Sequence, residues 1–281
     1  MNTIKELIKL ALEEDIEDGD HSGLACIPSE AYGKARLLVK DAGILAGVEI
    51  AKAVFKEVDP NCKLTIFLKD GAIIKPDDIA FEIEGKSQSI LRGERLALNF
   101  MQRMSGIATH THHLISLLEG LSTRLLDTRK TTPNFRIFEK QAVKIGGGTN
   151  HRFGLFDMIM IKDNHIDYAG GIQQAIEKTY NYLEENDLQL KVEIEARNLE
   201  EVEQILNAKK VDRIMLDNFS YTDLKRAVKL IGNSAQTEAS GGITEHTIRE
   251  FAECGVDFIS VGALTHQIKS LDMSLKAVSD A

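Results

Sequence analysis

Residues 190–217 read LKVEIEARNLEEVEQILNAKKVDRIMLD. A short apolar run, LKVEIEA, is followed by NLEEVEQILNAKK, where apolar residues recur three or four positions apart, and then by a second run, VDRIMLD. This order of strand, amphipathic helix and strand is typical of a β/α unit, in which a crossover helix joins two parallel strands. The stretch therefore predicts a parallel sheet covered by helices.

Similar units follow one another after residue 120. The other apolar runs are TRLLD, DMIMIKD, AQTEASGG and VDFISVG, which makes six predicted strands. A charged or glycine residue stands at or just beyond the carboxyl end of each run. An open doubly wound sheet gathers its ligand at one switch point, whereas a barrel brings all its strand ends to one mouth. The pattern favours a barrel, although six units are fewer than the usual eight.

The first third of the chain has a different pattern. The runs ARLLVKDAGILAG and KLTIFLKDGAIIKPDDIAFEIEG predict antiparallel strands, and Asp70-Gly71 predicts a tight turn between two of them. From about Ser89 to Leu118 the apolar residues have helical spacing, with an interruption predicted at Ser105-Gly106. We therefore expect two domains with a boundary near residue 105.

Composition excludes several classes of protein. The 281 residues carry a formal net charge of -9, which argues against a nucleic-acid-binding protein because such proteins need a broad basic face. The amino terminus has no apolar h-region, and no apolar run reaches membrane-spanning length. Three widely spaced cysteines, Cys26, Cys62 and Cys254, suggest reduced thiols. We expect a cytoplasmic protein.

One stretch runs against the acidic composition. Residues 129–152, RKTTPNFRIFEKQAVKIGGGTNHR, hold six Lys or Arg and a single acid, Glu139. At a barrel mouth Arg129, Lys130, Arg152 and Lys162 would converge with His151. Charge-assisted hydrogen bonds from such groups are worth about 1.5 to 3 kcal/mol each, so the cluster predicts a polyanionic ligand.

Acids and glycine turns complete the predicted site. Glu195 and Asp217 leave successive strand ends, which suits Mg²⁺ or the hydroxyls of a sugar. The turns Ser240-Gly241-Gly242 and Val261-Gly262-Ala263 fall where barrels commonly bind phosphate. Each acid alone could instead cap a helix or pair with a cation. His110, His112 and His113 lack the cysteine cluster of a zinc site, and we set zinc aside.

Several motifs together resemble one family. They are Asp127-Thr-Arg-Lys-Thr-Thr-Pro133, Gly146-Gly-Gly-Thr-Asn-His-Arg-Phe-Gly-Leu155, Ile161-Lys-Asp-Asn-His165, Glu193-Ile-Glu195, Met215-Leu-Asp-Asn218, Glu238-Ala-Ser-Gly-Gly-Ile243 and Val261-Gly-Ala-Leu-Thr-His266. In this order they look like the quinolinate phosphoribosyltransferases, also called carboxylating nicotinate-nucleotide pyrophosphorylases, of the type II phosphoribosyltransferases. One departure is Asn134-Phe135, which stands where the family pattern has Gly-Leu.

The resemblance implies an architecture and a reaction. The fold would be an N-terminal α/β sandwich over residues 1–105, rejoined by 267–281, and an incomplete, open, seven-stranded α/β barrel over 106–266. The enzyme, a glycosyltransferase of NAD biosynthesis, would convert quinolinate and phosphoribosyl pyrophosphate, with Mg²⁺, into nicotinate mononucleotide, pyrophosphate and CO₂. The family also implies a homodimer or larger homo-oligomer, in which Arg95 reaches into the barrel of the partner subunit.

The resemblance carries roles over to particular residues. The expected substrate-binding residues are Arg95, Thr128, Arg129, Lys130, His151, Arg152, Lys162, Glu195, Asp217, Ser240, Gly241, Gly242, Val261, Gly262 and Ala263. Lys130, Lys162, Glu195 and Asp217 are expected to be catalytic, and Glu195 and Asp217 to hold the metal. Three alternatives stay open: a related transferase that uses nicotinate or another ring acid, a barrel aldolase with Lys162 as its Schiff-base lysine, and a non-catalytic sugar-phosphate sensor.

Overall fold

The structure, a computed structural model, describes residues 3–208 and 211–278. The ends of the sequence and Lys209-Lys210, at the end of the helical run quoted first, lie outside the described residues. In chain order the first elements are α1 (Ile4–Ile16), α2 (His21–Cys26), β1 (Tyr32–Val39), β2 (Gly43–Ile44), α3 (Val48–Val58), β3 (Lys63–Ile66), β4 (Ile73–Ile74), β5 (Ile79–Lys86), α4 (Ser87–Ser116), β6 (Arg124–Leu126) and α5 (Arg136–Ile145). The others are β7 (Ile159–Ile161), α6 (Asp163–Ala169), α7 (Ile172–Glu185), β8 (Val192–Ala196), α8 (Leu199–Asn207), β9 (Arg213–Asp217), α9 (Tyr221–Ile231), β10 (Gln236–Ser240), α10 (Ile248–Ala252), β11 (Phe258–Ser260), α11 (Ala263–His266) and β12 (Met273–Val278).

The described chain forms two compact units. The first contains the residues up to His112, Thr131–Gly147 and the residues from Leu264 onward; the second contains His113–Lys130 and Gly148–Ala263. Helix α4 runs through the boundary predicted near residue 105, and Thr131–Gly147, assigned from the sequence to the barrel, packs with the first unit. The domain limits given by the sequence stay a prediction.

The first unit contains the small antiparallel sheet expected from the alternating runs. Its strand order is β12-β1-β5-β3, and β1 pairs antiparallel with both β12 and β5. Along β1 the side chains of Ala35, Leu37 and Val39 are buried, because alternate residues of a strand face the same side. Strand β12 comes from the carboxyl-terminal part of the chain, so the described part of the predicted returning segment belongs to this unit.

The Asp70-Gly71 turn joins two different sheets. Gly71 has a φ of 89°, the left-handed region that favours glycine, so the predicted turn forms. The flanking strands do not pair with each other, because β3 pairs with β5 whereas β4 pairs with β2. Asp70 ties the turn to a helix instead. Its carboxylate accepts the Val48 N–H at 2.8 Å, at the start of α3.

Helix α4 is continuous where an interruption was predicted. Ser105 is fully buried, and its hydroxyl contacts both the N–H and the carbonyl of Ala46. A Cβ at Gly106 would lie 2.4 Å from the Lys269 carbonyl oxygen. The prediction of an interruption was wrong, because this serine and glycine allow neighbouring backbone to pack closely against an intact helix.

The substitution of Asn134-Phe135 for Gly-Leu is accommodated locally. Asn134 has a φ of 60°, a conformation that asparagine tolerates better than most other residues with a side chain. The Phe135 ring stacks on Phe100 with centroids 5.3 Å apart and also lies 4.9 Å from Phe138. The first residue therefore meets the backbone requirement of a glycine, and the second supplies apolar contact of the kind a leucine would make.

The second unit is built on a parallel sheet of six strands that correspond to the six predicted runs. Its order is β6-β11-β10-β9-β8-β7. Neighbours in the sheet are therefore neighbours in the chain, apart from the contact between β6 and β11, the first and last of these strands. This is the order of a singly wound barrel, since a doubly wound sheet reverses direction at a switch point.

A seventh strand is reduced to one bridge among the described residues. Thr149 pairs in parallel with Leu126, and its N–H donates to Leu125 on the side of β6 away from β11. The resemblance implied seven strands, whereas the described residues form six regular parallel strands and this single-residue bridge. The Thr149 bridge matters for the site, because it places Asn150, His151 and Arg152 immediately beside the end of β6.

Candidate active site

The predicted site residues, apart from Arg95, lie in the second unit. Because its strands are parallel, their carboxyl ends occur at the same edge of the sheet, and the site residues stand at these ends or in the segments that follow. Arg95 lies on helix α4 in the first unit, where its side chain is exposed.

Lys162 and Glu195 form an ion pair at the ends of neighbouring strands. Lys162 follows β7 directly, and its Nζ donates to Glu195 Oε1 at 2.5 Å. The Glu195 side chain is mostly buried, whereas that of Lys162 is 44% exposed. The Lys162 N–H donates to His165 Nδ1, which fixes the first turn of α6. A cation and an acid with different predicted roles therefore contact each other directly.

Asp217 is held from both sides at the end of β9. Its Oδ1 accepts the Ser240 hydroxyl at 2.6 Å, and its Oδ2 accepts the Asn218 side-chain amide at 2.7 Å. Asn218 itself has a φ of 57°, and its N–H donates to the Ser240 carbonyl. A Cβ at Gly241 would lie 2.2 Å from Asn218 Oδ1, so the site needs glycine there. The Ser240 hydroxyl thus orients Asp217, and its predicted contact with a phosphate stays a prediction.

The two predicted phosphate turns differ. Gly241 and Gly242 both have positive φ values, 96° and 61°, as expected of a turn whose backbone can approach a ligand closely. Val261 is buried, and its N–H donates to the Leu126 carbonyl within the sheet. Among the residues predicted to bind phosphate, Val261 therefore offers neither an exposed side chain nor its N–H.

The cations of residues 129–152 divide between the two units. Arg129 and Lys130 are exposed beyond β6, and Arg152 donates to the Met158 carbonyl at 3.2 Å. Burial lowers the pKa of Arg152, and the positive charge of Arg129 lowers it further. These two guanidinium groups repel each other, and a bound anion would relieve that repulsion.

The other three cations of the stretch belong to α5. These residues are Arg136, Lys140 and Lys144, and they lie in the first unit. These three are not among the cations that the sequence analysis placed at the strand ends.

A buried acid fixes the turn that carries His151. Asp127 directly follows β6 and is fully buried. Its Oδ1 accepts the His151 N–H at 2.8 Å, and its Oδ2 accepts the Asn150 side-chain amide at 2.6 Å. The backbone of His151 is thus set by a carboxylate at the end of the neighbouring strand.

The His151 ring contacts an ion network inside the sheet. Its Nε2 lies 3.2 Å from Glu193 Oε2 and 3.4 Å from Glu238 Oε2. Both carboxylates are fully buried, and the Arg213 guanidinium contacts Glu238 at 2.7 Å and Glu193 at 3.7 Å. His151, Glu193 and Glu238 could in principle ligate a metal, but Arg213 already supplies a cation among these oxygens. We interpret the group as an ion network.

The network shifts the pKa values of its members. Burial by itself lowers the pKa of His151, but the contacts with Glu193 and Glu238 raise it to about 9. Burial and the Glu238 charge raise the pKa of Glu193. Burial also acts to raise the pKa of Glu238, but contacts with His151 and Arg213 lower it overall. The backbone N–H of Arg152 donates to His151 Nδ1 at 2.7 Å. This hydrogen bond must break before the ring can take up a second proton.

Sequence reasoning missed Glu193, Arg213, Glu238 and Asn218 as parts of the site. A signal was present for the two glutamates, since each stands two residues before a predicted site residue on the same strand. Side chains two apart share a face, so Glu193 faces the same side as Glu195, and Glu238 the same side as Ser240. Arg213 had a similar signal, since it lies four residues before Asp217 on β9 and therefore shares its face.

Two family descriptions match the chain. Residues 20–105 match "Quinolinate phosphoribosyl transferase, N-terminal domain", and residues 107–276 match "Quinolinate phosphoribosyl transferase, C-terminal domain". Together the two matches cover most of the sequence.

Named relatives and solved structures agree with these matches. A tobacco protein named "Quinolinate phosphoribosyltransferase [decarboxylating] 2b, mitochondrial" is 44% identical over 97% of this chain and 82% of its own length. A Bacillus subtilis protein named "Probable nicotinate-nucleotide pyrophosphorylase [carboxylating]" is 39% identical over 97% of this chain and 92% of its own length. The crystal structure of NadC from Streptococcus pyogenes superimposes with a TM-score of 0.92 and 40% sequence identity. The match covers 98% of this chain and 97% of the NadC chain.

Proposed function

We propose that this chain, which belongs to the quinolinate phosphoribosyltransferase family, binds its substrates at the carboxyl ends of the parallel strands of the second unit. The activity is phosphoribosyl transfer to quinolinate with decarboxylation, giving nicotinate mononucleotide, pyrophosphate and CO₂. The observation that supports this location is the convergence of cations and oriented acids on these strand ends, with Lys162 on Glu195 and Asp217 held by Ser240.

The cations suit the leaving group. As pyrophosphate departs from C1 of the ribose, negative charge grows on its oxygens and positive charge grows on the sugar. Fixed cations at the leaving oxygens therefore stabilise the transition state more than the ground state. We assign this role to Arg129, Lys130, Arg152 and Lys162, with His151 beside them. The family membership and these charges favour the transferase over an aldolase with Lys162 as its nucleophile.

The acids suit the sugar and a metal ion. Glu195 and Asp217 offer carboxylate oxygens, the ligands that Mg²⁺ prefers, and two hydrogen bonds already orient Asp217. These residues fit Mg²⁺, which would neutralise charge on the phosphates when bound. Glu195 would release or share Lys162 as it accepts hydrogen bonds from the ribose hydroxyls.

The second chemical step uses the charge created by the first. When the ring nitrogen bonds to C1 of the ribose, the ring becomes cationic. The bond to the adjacent carboxylate then breaks, its electron pair stays on the ring carbon, CO₂ leaves and a proton takes its place. The nearby ring cation stabilises the carbanion, so neither step needs a covalent enzyme intermediate. The protein's part is to orient the two substrates and to hold the anionic groups.

The purified protein is expected to prefer quinolinate strongly over nicotinate. Quinolinate has a second carboxylate, and losing even one charge-assisted hydrogen bond, worth about 1.5 to 3 kcal/mol, should lower kcat/KM for nicotinate by about tenfold or more. The assay follows nucleotide by chromatography and ¹⁴CO₂ from labelled quinolinate, and both should appear in equal amounts. Equal or better turnover of nicotinate would contradict the proposed carboxylate contacts.

We also propose a homodimer, or a larger homo-oligomer, with composite sites. Arg95 is exposed on helix α4, and the family pattern places an arginine here in the partner's site. In a two-fold pair each site would then combine Arg95 of one chain with Lys162 of the other.

Mixing two inactive variants tests the composite site. Arg95→Ala and Lys162→Ala homodimers should each be nearly inactive. Random pairing makes half of the dimers hybrids with one intact site out of two, so recovery should approach roughly a quarter of wild-type activity. Exchange of subunits is verified by native mass spectrometry, and mixing Lys162→Ala with itself is the control. Exchange without recovery would place Arg95 outside the partner's site.

The location in the cell is a separate proposal. Within the described residues, no helix combines the length and apolar character needed to cross a membrane. Cys26, Cys62 and Cys254 form no disulfide. We propose a cytoplasmic protein, although the tobacco relative is named as mitochondrial.

A further inference from the structure

Charged side chains are buried against the parallel sheet, at positions where a barrel interior usually has aliphatic side chains. Barrel interiors are filled mostly by Val, Ile and Leu. Here Glu193 and Glu238 are fully buried, and Arg213 and His151 are largely buried with them. Both oxygens of Glu193 and Oε1 of Glu238 make no hydrogen bond among the described residues. Burying such groups usually costs stability, so their presence calls for a role beyond packing.

Arg213 holds Glu238 in a defined place. Its Nη1 donates to Glu238 Oε2 at 2.7 Å, and its guanidinium lies 4.0 Å from the centroid of the Phe258 ring. Such stacking restricts a guanidinium that would otherwise be flexible. Glu238 Oε2, which contacts Arg213, is the same atom that faces His151 Nε2.

The geometry fixes His151 at two points. Asp127 sets its backbone, and the two buried glutamates face Nε2 of its ring. We propose that Glu238, braced by Arg213, is a positioning residue that keeps a proton on Nε2 of His151, so that the ring becomes cationic when Nδ1 gives up the Arg152 backbone N–H and takes up a proton facing an anionic substrate. Glu238 would affect the substrate only by positioning the His151 ring. This inference rests on the proposed function, because it takes His151 to be a substrate-binding group.

The surrounding charges support a cationic ring. The groups that face His151 are Asp127 after β6, Glu193 on β8, Arg213 on β9, Glu238 on β10 and the adjacent Arg152. Inside the sheet, two carboxylates oppose the single guanidinium of Arg213. Glu238, whose pKa is lowered overall, supplies negative charge 3.4 Å from Nε2, in line with the raised pKa of His151.

The test replaces Glu238 by its near-isosteric amide. In Glu238→Gln the carboxylate that contacts both Arg213 and His151 Nε2 is lost, so less negative charge remains to hold a proton on the ring. We expect the midpoint of the His151 titration to fall by at least about one pH unit. The midpoint is read by NMR of protein with isotope-labelled histidine, and His151 is identified among the eight histidines by the signal that His151→Gln removes. A matched control is Glu201→Gln, which removes a buried carboxylate paired with Arg197 instead.

Kinetics then show whether Glu238 acts through His151. Glu238→Gln should lower kcat/KM for quinolinate by about tenfold and shift its pH profile towards acid, whereas Glu201→Gln should do neither. In a His151→Gln background the same substitution should change kcat/KM by less than about twofold, because the residue it positions is gone. Losses that add fully in the double variant would overturn the inference.

The outcomes separate this inference from the function it rests on. Normal turnover in His151→Gln would overturn the role proposed for His151 and this inference together. A His151 midpoint that ignores Glu238→Gln would overturn this inference alone. Should Glu238→Gln fail to fold, Glu238→Asp withdraws the carboxylate from Nε2 but keeps its charge. Normal activity with an unshifted pH profile in that variant would equally count against the proposal.

Discussion

Lys130→Ala lowers kcat by about two to three orders of magnitude, the scale seen when one preorganised electrostatic group is lost from an active site. Lys130 lies a few residues beyond β6, is exposed, and its N–H is held by the Thr128 hydroxyl at 3.0 Å. Its charge is needed most as pyrophosphate leaves, so we expect a larger effect on kcat than on KM. Steady-state kinetics with both substrates varied measure the two constants separately.

Lys144→Ala is the matched control for this prediction. Lys144 comes from the same basic stretch and is exposed, but it lies on α5 in the first unit. Its removal deletes the same charge from the first unit instead of from the segment after β6, so kcat should stay near the wild-type value. A folded Lys130→Ala enzyme with nearly normal kcat would show that this lysine is peripheral to the reaction.

The free energy of unfolding falls by about 3 kcal/mol between pH 6.5 and pH 9 through His151 alone. The folded pKa of about 9 is above the ordinary histidine pKa of 6.5, so the folded state retains a proton that the unfolded state releases in this range. The stabilisation is complete below about pH 6.5 and is lost as the pH rises through 9. Urea unfolding at a series of pH values measures the slope.

The His151→Gln variant isolates this contribution from other groups. Its slope between pH 6.5 and pH 9 should be flatter than that of the wild-type protein, whatever its absolute stability. Comparing slopes avoids confusion with the packing change that the substitution itself causes. Parallel stability curves for the two proteins would mean that His151 holds no extra proton in the folded state.

The first unit shows where local sequence patterns predict the structure correctly and where they do not. Alternating runs identified the strands because one face of each is buried, which requires apolar and polar residues to alternate along the strand. Asp70-Gly71 was recognised as a turn, but the partners of the flanking strands depend on residues far away in the chain. Ser105-Gly106 looked like a helix break because its real neighbours, Ala46 and Lys269, are distant in sequence.

The sequence by itself determined the six parallel strands, the helices between them and the positions of Lys162, Glu195 and Asp217 at strand ends. These follow from hydrophobic periodicity, which is a local property, and from the alternation of strands and helices, which implies parallel pairing. Only the tertiary structure decided which of those groups contact each other. It paired Lys162 with Glu195, gave Asp217 the support of Ser240 and Asn218, and placed Arg213 between two buried glutamates behind His151. Such contacts depend on how neighbouring strands are staggered, because that stagger brings together side chains whose separation along the chain carries no signal of the contact.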